Sequence, residues 1–144
     1  MNKIILIIFT SLFLTNFIYE ISYAKNLNFQ EGEKLFNNKK FKDSKFYFEK
    51  DIVFNPKSEN SYLYLAKIFK EQEKDILEEN NLNTVLLLNP KNEEAIYLLA
   101  LLHIKKYNFS KVKKLIATIA SVCEKMCNTQ LELKEKLNVA QKGK

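Results

Sequence analysis

Apolar residues recur at every third or fourth position along most of the chain from residue 28 onward. This spacing places them on one face of an α-helix, which turns once in about 3.6 residues. The pattern predicts six helices, at residues 28–39, 41–54, 61–72, 74–88, 93–107 and 109–122. In the fourth of these, the side chains expected in the core are Ile76, Leu77, Leu82, Val85, Leu86 and Leu88.

A seventh helix is predicted at residues 129–141. Thr129 is followed three positions later by Glu132, the capping-box pattern in which each of two side chains accepts a hydrogen bond from the other residue's backbone N–H. This segment carries the apolar residues Leu131, Leu133, Leu137 and Ala140 beside the charged residues Lys134, Glu135, Lys136 and Lys142. A helix of this kind suits the end of a helical stack, where one face packs and the other meets solvent.

The sequence also has a fixed period. It contains only 2 glycines and 2 prolines, so little of it has the composition of loops, and this predicts an all-α protein. Both prolines lie in Asn-Pro-Lys triplets, at residues 55–57 and 89–91, which are 34 residues apart. The small residues Gly32, Ala66 and Ala100 follow the same period. A period of this length is typical of stacked supersecondary units.

These features resemble the tetratricopeptide repeat, a family of 34-residue helix–turn–helix units. The resemblance implies a right-handed superhelical stack of three helix pairs, at about residues 25–58, 59–92 and 93–126, followed by the capping helix. Four residues depart from the family pattern: Asn28 and Glu31, where large apolar residues are usual, and Asp51 and Glu78, where small residues are usual. The last of these predicts a shifted entry of the fourth helix. An irregular helical bundle is the alternative fold.

In this family, the first helix of each pair lines a concave groove that holds a peptide or a helix of a partner. The resemblance therefore implies a partner-binding set of Phe29, Glu33, Phe36, Asn60, Leu63, Lys67, Lys70, Tyr97, Leu101 and Ile104. Phe29, Leu63 and Tyr97 follow the 34-residue period and are expected to form an apolar column facing the groove. The alternative is that they pack between neighbouring helices. Phe29 and Glu33 stand where carboxylate-binding members have lysine and asparagine, so we do not expect a receptor for a chaperone tail.

The first 24 residues have the pattern of a secretory signal peptide. Lys3 supplies a positive charge, residues 4–18 are mostly apolar, and Ser22 and Ala24 are small residues placed for cleavage. We therefore expect export to the periplasm and a mature chain of residues 25–144. An inner-membrane anchor through residues 4–18 is the alternative, although this stretch is short for a membrane span of about 20 residues.

Cys123 and Cys127 follow the last predicted helix pair. In an exported protein, two neighbouring cysteines favour a disulfide, and small exported repeat proteins that this chain resembles often have such a pair there. The bond would hold the capping helix to the last repeat and contribute about 1–2 kcal/mol. Free thiols and a redox or metal pair are the alternatives.

The charge pattern argues against nucleic acid as a partner. The formal net charge is +6, and all 23 basic residues are lysine. Arginine supplies the planar fork that reads bases and clamps phosphates, so its absence argues against nucleic acid. Lysines cluster at residues 39–45 and 105–114. These clusters are interpreted as a solvated surface, with contact to an anionic membrane as the alternative.

No set of residues that could carry out catalysis is recognisable. His103 is the only histidine, and it lies on the apolar side of a helix, which favours a hydrogen-bonded core residue over a metal ligand. The two glycines stand apart from each other and form no phosphate-binding loop. The sequence therefore predicts no enzyme, no cofactor and no metal.

Together, these features predict a non-catalytic adaptor or assembly factor of the bacterial cell envelope, which binds a peptide or an amphipathic helix of another protein in the groove. The alternative is a structural homo-oligomer or membrane-associated subunit. In that case the apolar column would mediate self-association and the lysine edge would contact lipid.

Overall fold

The computed structural model describes residues 27–143, which are helical with no strand among them. The helices are α1 (residues 27–37), α2 (Phe41–Phe54), α3 (Glu59–Glu71), α4 (Asp75–Leu88), α5 (Glu93–Lys105), α6 (Phe109–Val122) and α7 (Thr129–Lys142). The predicted all-α class is confirmed. The predicted signal segment at residues 1–24 lies outside the described residues.

The first helix of each pair ends in the same left-handed turn. Lys39, Glu73 and Tyr107 have φ values of 58°, 54° and 55°, and they are spaced by 34 residues. In the second of these turns, the N–H of Lys74 donates to the carbonyl of Phe69 at 2.9 Å and the N–H of Glu73 donates to that of Lys70 at 3.0 Å. These two hydrogen bonds together form a Schellman motif. It ends α3 and α5 one or two residues before the predicted boundaries, although no glycine stands in these turns.

The second helices of the first two pairs end at an asparagine. The N–H groups of Asn55 and Asn89 each donate at 2.7 Å to the carbonyl of the residue four positions earlier. The proline that follows each asparagine cannot continue the helix because it lacks an N–H. Asn92 is the N-cap of α5, since its side-chain Oδ1 accepts a hydrogen bond from the N–H of Ala95 at 2.9 Å.

The chain divides into two compact units, Met1–Ser61 and Tyr62–Lys144. In the described part of the first unit, Gly32 lets α1 and α2 approach closely, because a Cβ at this position would lie 2.8 Å from Cε1 of Phe48. Ser44 donates a hydrogen bond from its Oγ to the Gly32 carbonyl at 2.8 Å. Phe48 is fully buried and contacts the Phe29 ring, with the two centroids 5.7 Å apart.

Asp51, one of the departures from the repeat pattern, is also buried in this unit. Its Oδ2 accepts a hydrogen bond from Ser61 Oγ at 2.5 Å, and Ser58 donates to Ser61 at 3.0 Å. A short hydroxyl chain therefore satisfies one oxygen of a carboxylate that replaces a small residue. The other oxygen, Oδ1, has no hydrogen-bond partner in the part of the chain that the structure describes.

The second unit has two buried clusters. The first joins α3, α4 and α5, and its members are Leu63, Ala66, Leu82, Val85, Ala95, Leu98, Leu99 and Leu102. The second joins α5, α6 and α7, and its members are Ala100, Val112, Ile116, Leu133 and Leu137. α7 thus covers the apolar side of the last helix pair with its two leucines, in the role expected of a capping helix.

The entry of α4 differs from the prediction. Ile76 and Leu77 are 72% and 41% exposed, whereas Glu78 is 4% exposed. Glu78, Leu82 and Val85 lie four and three positions apart on one helix face, and this is the face that packs. The prediction that Ile76 and Leu77 are buried was therefore wrong, and the helix accommodates the glutamate in the buried small-residue position.

The capping box predicted at Thr129 is also wrong, although α7 begins at this residue. Asn128 is the N-cap residue, and no side chain caps the helix there. Thr129 instead donates from its Oγ1 to the Met126 carbonyl at 2.5 Å. The carboxylate of Glu132 is engaged by Tyr97, a contact across 35 positions that the local pattern does not encode.

Candidate partner-binding surface

The three residues of the predicted apolar column differ in their burial and contacts. Leu63 is 6% exposed and belongs to the first buried cluster of the second unit, so it packs between helices, as the alternative interpretation holds. Tyr97 is half-buried. Phe29 is half-buried in the first unit and contacts Phe48 there.

Tyr97 is held by the capping helix. Its hydroxyl donates a hydrogen bond to Glu132 Oε1 at 2.7 Å. Burial, the hydrogen bond and the charge of Glu132 together raise the pKa of Tyr97 to about 12. Leu101 and Ile104, two further residues of the predicted set, are half-buried and pack against the cluster that contains Leu133 and Leu137. α7 therefore occupies part of the apolar surface of α5.

The remaining residues of the predicted partner-binding set are more polar or more exposed. Lys67 on α3 forms an ion pair with Glu94 on α5, with Nζ and Oε1 2.7 Å apart, and its ammonium lies 4.7 Å from the centre of the Tyr64 ring. Lys70 is exposed. In the first unit, Asn60 is exposed, while Glu33 and Phe36 are half-buried. The ring of Phe36 lies 5.4 Å from that of Phe41.

A pocket of about 240 Å³ opens beside α5. Its walls come from the end of α3, the turn after it, the first turn of α4 and the second half of α5, and the residues are Lys70, Glu73, Glu78, Leu101, Leu102 and Lys105. Lys70 and Leu101 belong to the predicted partner-binding set. Glu73 and Glu78 were not included, because they belong to the turn and to α4, whereas the prediction considered only first helices.

The pocket contains the buried carboxyl of Glu78. Burial raises the pKa of Glu78, and the positive charges of Lys70 and Lys105 oppose this shift. Lys105 is itself engaged, since its Nζ lies 2.7 Å from Asp75 Oδ1. This hydrogen bond raises the pKa of Lys105.

His103 lies in a separate polar cluster. It is buried, as predicted, and its Nε2 is 3.7 Å from Glu79 Oε1. Glu79 is paired more closely with Lys106, at 2.5 Å. Burial lowers the pKa of His103, and its Nδ1 has no hydrogen-bond partner within residues 27–143. The prediction of burial is therefore confirmed, and the predicted hydrogen bonding is not met at Nδ1.

Cys123 and Cys127 form a disulfide, with Cα atoms 5.1 Å apart. The loop that they close is bound by Glu93 from the start of α5. The Glu93 carboxylate accepts hydrogen bonds from the N–H groups of Glu124, Lys125 and Met126, at 2.8, 3.0 and 2.6 Å. These bonds lower the pKa of Glu93. Glu93 also stands in the first turn of α5, where a negative charge suits the positive end of the helix dipole.

Neither a metal site nor a membrane span is found in this part of the chain. Among residues 27–143, no three histidine, cysteine or acidic residues are grouped so that they could hold a metal ion. None of the helices described is both long enough and apolar enough to cross a bilayer.

Known structures identify the fold. The chain is similar to the TPR domain of Arabidopsis OM64, with a TM-score of 0.73 and 15% identity over 81% of this chain and 95% of that one. The chain has the tetratricopeptide-repeat fold. No protein-family model matches the sequence, and no curated protein is recognisably similar to it in sequence.

Two further structures with this tetratricopeptide-repeat fold contain peptides. The first TPR of Spaghetti (RPAP3), bound to the HSP90 peptide SRMEEVD, has a TM-score of 0.72 and 15% identity, and the match covers 81% of this chain and 92% of that one. The Yersinia enterocolitica secretion chaperone SycD, in complex with a peptide of the translocator YopD, has a TM-score of 0.71 and 9% identity over 82% and 92% of the two chains.

Proposed function

We propose that this protein is a non-catalytic interaction module, an adaptor or assembly factor that holds a peptide or an amphipathic helix of another protein. The observation that carries the proposal is the fold, which spans most of the chain and is shared with two domains that contain a bound peptide. Phe29 and Glu33 stand where the carboxylate-binding members of the family have lysine and asparagine. We therefore do not propose that this chain binds the HSP90 peptide.

The proposed surface in the second unit is formed by α3 and α5 around Lys67, Lys70 and Leu101. The ion pair between Lys67 and Glu94 fixes the polar part of this surface, and half-buried Leu101 contributes an apolar part. Leu63 is not included, since its side chain is taken up by the core. The surface is thus a mixed one, suited to a segment with both apolar and charged side chains.

Site-specific photocrosslinking tests this proposal. A photoreactive phenylalanine analogue in place of Lys70 or Leu101 is expected to form a crosslink to one defined protein in cells. The same analogue at Lys113 or Ala117, which are exposed on α6, is the matched control and is expected to form none. Equal crosslinking from both faces would contradict the proposed surface. Crosslinks only between copies of this chain would favour the homo-oligomer instead.

We further propose that the protein acts in the bacterial cell envelope after export. The apolar stretch at residues 4–18 and the small residues before position 25 support this location. The disulfide between Cys123 and Cys127 is compatible with it, because disulfides persist in oxidising compartments.

A further inference from the structure

The pocket beside α5 has the size of a side-chain site. Its volume of about 240 Å³ is below the roughly 300–1,000 Å³ of sites for whole small molecules and cofactors. All six lining residues lie in the second unit, and two of them, Lys70 and Leu101, belong to the proposed partner-binding surface. One side chain of a bound segment could therefore enter the pocket while the rest of the segment lies on α3 and α5.

Glu78 is the chemically distinctive group in this pocket. Its side chain is almost fully buried, yet within the described residues no group donates a hydrogen bond to its carboxylate and no lysine lies within ion-pair distance of it. A carboxylate that is largely shielded from water and has no protein donor destabilises a protein, because it keeps only part of its hydrogen bonding to water. A ligand that donated hydrogen bonds to Glu78 would recover that loss.

The other charges around the pocket favour a cationic donor. Glu73 adds a second carboxylate at the rim. Lys105 is already paired with Asp75 at 2.7 Å, so its charge is largely compensated. Lys70 is exposed and can turn towards solvent when another cation enters. An acidic side chain, by contrast, would have to enter beside Glu73 and Glu78.

The apolar wall defines the rest of the ligand. Leu101 and Leu102 line the pocket from α5, and they suit the methylene stem of a long side chain whose charged end reaches Glu78. Lysine and arginine have both parts, a flexible apolar stem and N–H donors at the tip.

We propose that this pocket receives a lysine or arginine side chain of the bound partner, whose N–H groups donate to the Glu78 carboxylate while its stem packs on Leu101. Glu78 is thus a specificity-determining residue of the binding surface. This inference rests on the proposed function, because it assumes that a peptide segment lies on α3 and α5.

The test uses the full chain and a phage library of short random peptides. Peptides are selected on the unmodified protein, and the tightest binder is synthesised with its basic residue as lysine, norleucine or glutamate. Norleucine keeps the stem and removes the ammonium group. Affinities are then measured for the unmodified protein and for Glu78→Gln, Glu78→Asp and Glu135→Gln, each shown to be folded by circular dichroism. Glu135 is exposed on α7, so its variant controls for loss of one negative charge.

We expect the selected peptides to share a lysine or arginine. Replacing it by norleucine, or changing Glu78 to glutamine, should each weaken binding by about ten-fold or more, as for a charge-assisted hydrogen bond. Glu78→Asp should keep the preference for lysine over norleucine, and Glu135→Gln should leave the affinity unchanged.

Two results would overturn the inference in different ways. Peptides that bind equally well with norleucine, or equally well to Glu78→Gln, would show that the pocket does not take a basic side chain, while the proposed function would stand. If no peptide is selected at all, the proposed function fails as well.

Discussion

At the scale of single residues, the structure keeps several groups in costly positions. Lys39, Glu73 and Tyr107 adopt the left-handed backbone conformation, which costs an L-residue roughly 1–2 kcal/mol relative to the right-handed one. They do so because the Schellman bonds of each turn satisfy carbonyls at the end of the preceding helix. Glu78 likewise keeps a carboxyl in a buried position.

We expect Lys39→Gly to stabilise the protein. Glycine removes the steric cost at this φ. Part of this stabilisation is lost because glycine also gives the unfolded chain more conformational freedom. The net increase in the free energy of unfolding should be about 0.5–1 kcal/mol. Denaturant titration measures it. The same change at Lys50, which is exposed inside α2, should instead cost about 1 kcal/mol. A loss of stability at both positions would contradict the turn assignment.

Glu78→Gln should stabilise the protein in a pH-dependent way. Because the pKa of Glu78 in the folded protein is raised above its ordinary value of 4.5, the folded state binds more protons than the unfolded state in that range. The contribution of Glu78 to the stability of the folded protein is therefore fully present below pH 4.5, and it is lost as the pH rises through the raised pKa. The melting temperature of Glu78→Gln, relative to the unmodified protein, should rise from about pH 4 to pH 8. A difference that is constant over this range would show that burial does not control this carboxyl.

At the scale of elements, α7 is an integral part of the second unit. Leu133 and Leu137 complete the cluster formed by α5 and α6, and Tyr97 and Glu132 join α5 to α7 through a side-chain hydrogen bond. The disulfide loop before α7 is bound at its backbone by Glu93. Packing, a hydrogen bond and a covalent crosslink therefore all hold this helix.

Leu133→Ala should destabilise the protein by about 2–5 kcal/mol, since Leu133 is fully buried and its truncation leaves a cavity. Leu131→Ala is the matched control. Leu131 lies on the same helix but is 61% exposed, so its replacement should change the free energy of unfolding by no more than about 0.5 kcal/mol. Similar effects at both positions in denaturant titration would contradict the packing of α7.

Reduction of the disulfide should cost about 1–2 kcal/mol of stability, because the bond closes only a short loop. The measurement is denaturant titration of the unmodified protein with and without reductant. A double variant, Cys123→Ser with Cys127→Ser, should unfold like the reduced protein and should not respond to reductant. If reductant left the unmodified protein unchanged, the disulfide would contribute nothing to the folded state.

At the scale of the whole molecule, the proposed function requires that the protein and its partner meet in one compartment. We expect the full chain, fused at residue 144 to a reporter enzyme that is active only after export, to give active reporter in a bacterial host. Deletion of residues 4–18 should abolish the activity, because the apolar stretch is the part that engages the export machinery. Activity that survives the deletion would argue against the proposed envelope location. Fractionation then separates a released form from an inner-membrane anchored one.

Much of the fold could be predicted from the sequence, and much less of the site. The apolar spacing predicted α1 to α6 within a few residues, and the Thr129–Glu132 pattern predicted α7. Both α2 and α6 begin and end at the predicted positions. The site was harder to predict. The 34-residue period places Phe29, Leu63 and Tyr97 at equivalent positions, but it does not determine which of these side chains is exposed. Leu63 became a core residue because neighbouring helices close over it.

What the sequence determined by itself is local: where each helix forms, how helices pair, and where proline stops them. These features depend on residues within a few positions of one another, so periodicity and composition are enough to predict them. The tertiary structure decided the burial of Glu78, the bond from Tyr97 to Glu132 and the capture of the disulfide loop by Glu93. The two bonds join residues more than 30 positions apart, and the burial of Glu78 depends on the helices packed around it. Only the packing of helices brings such groups together.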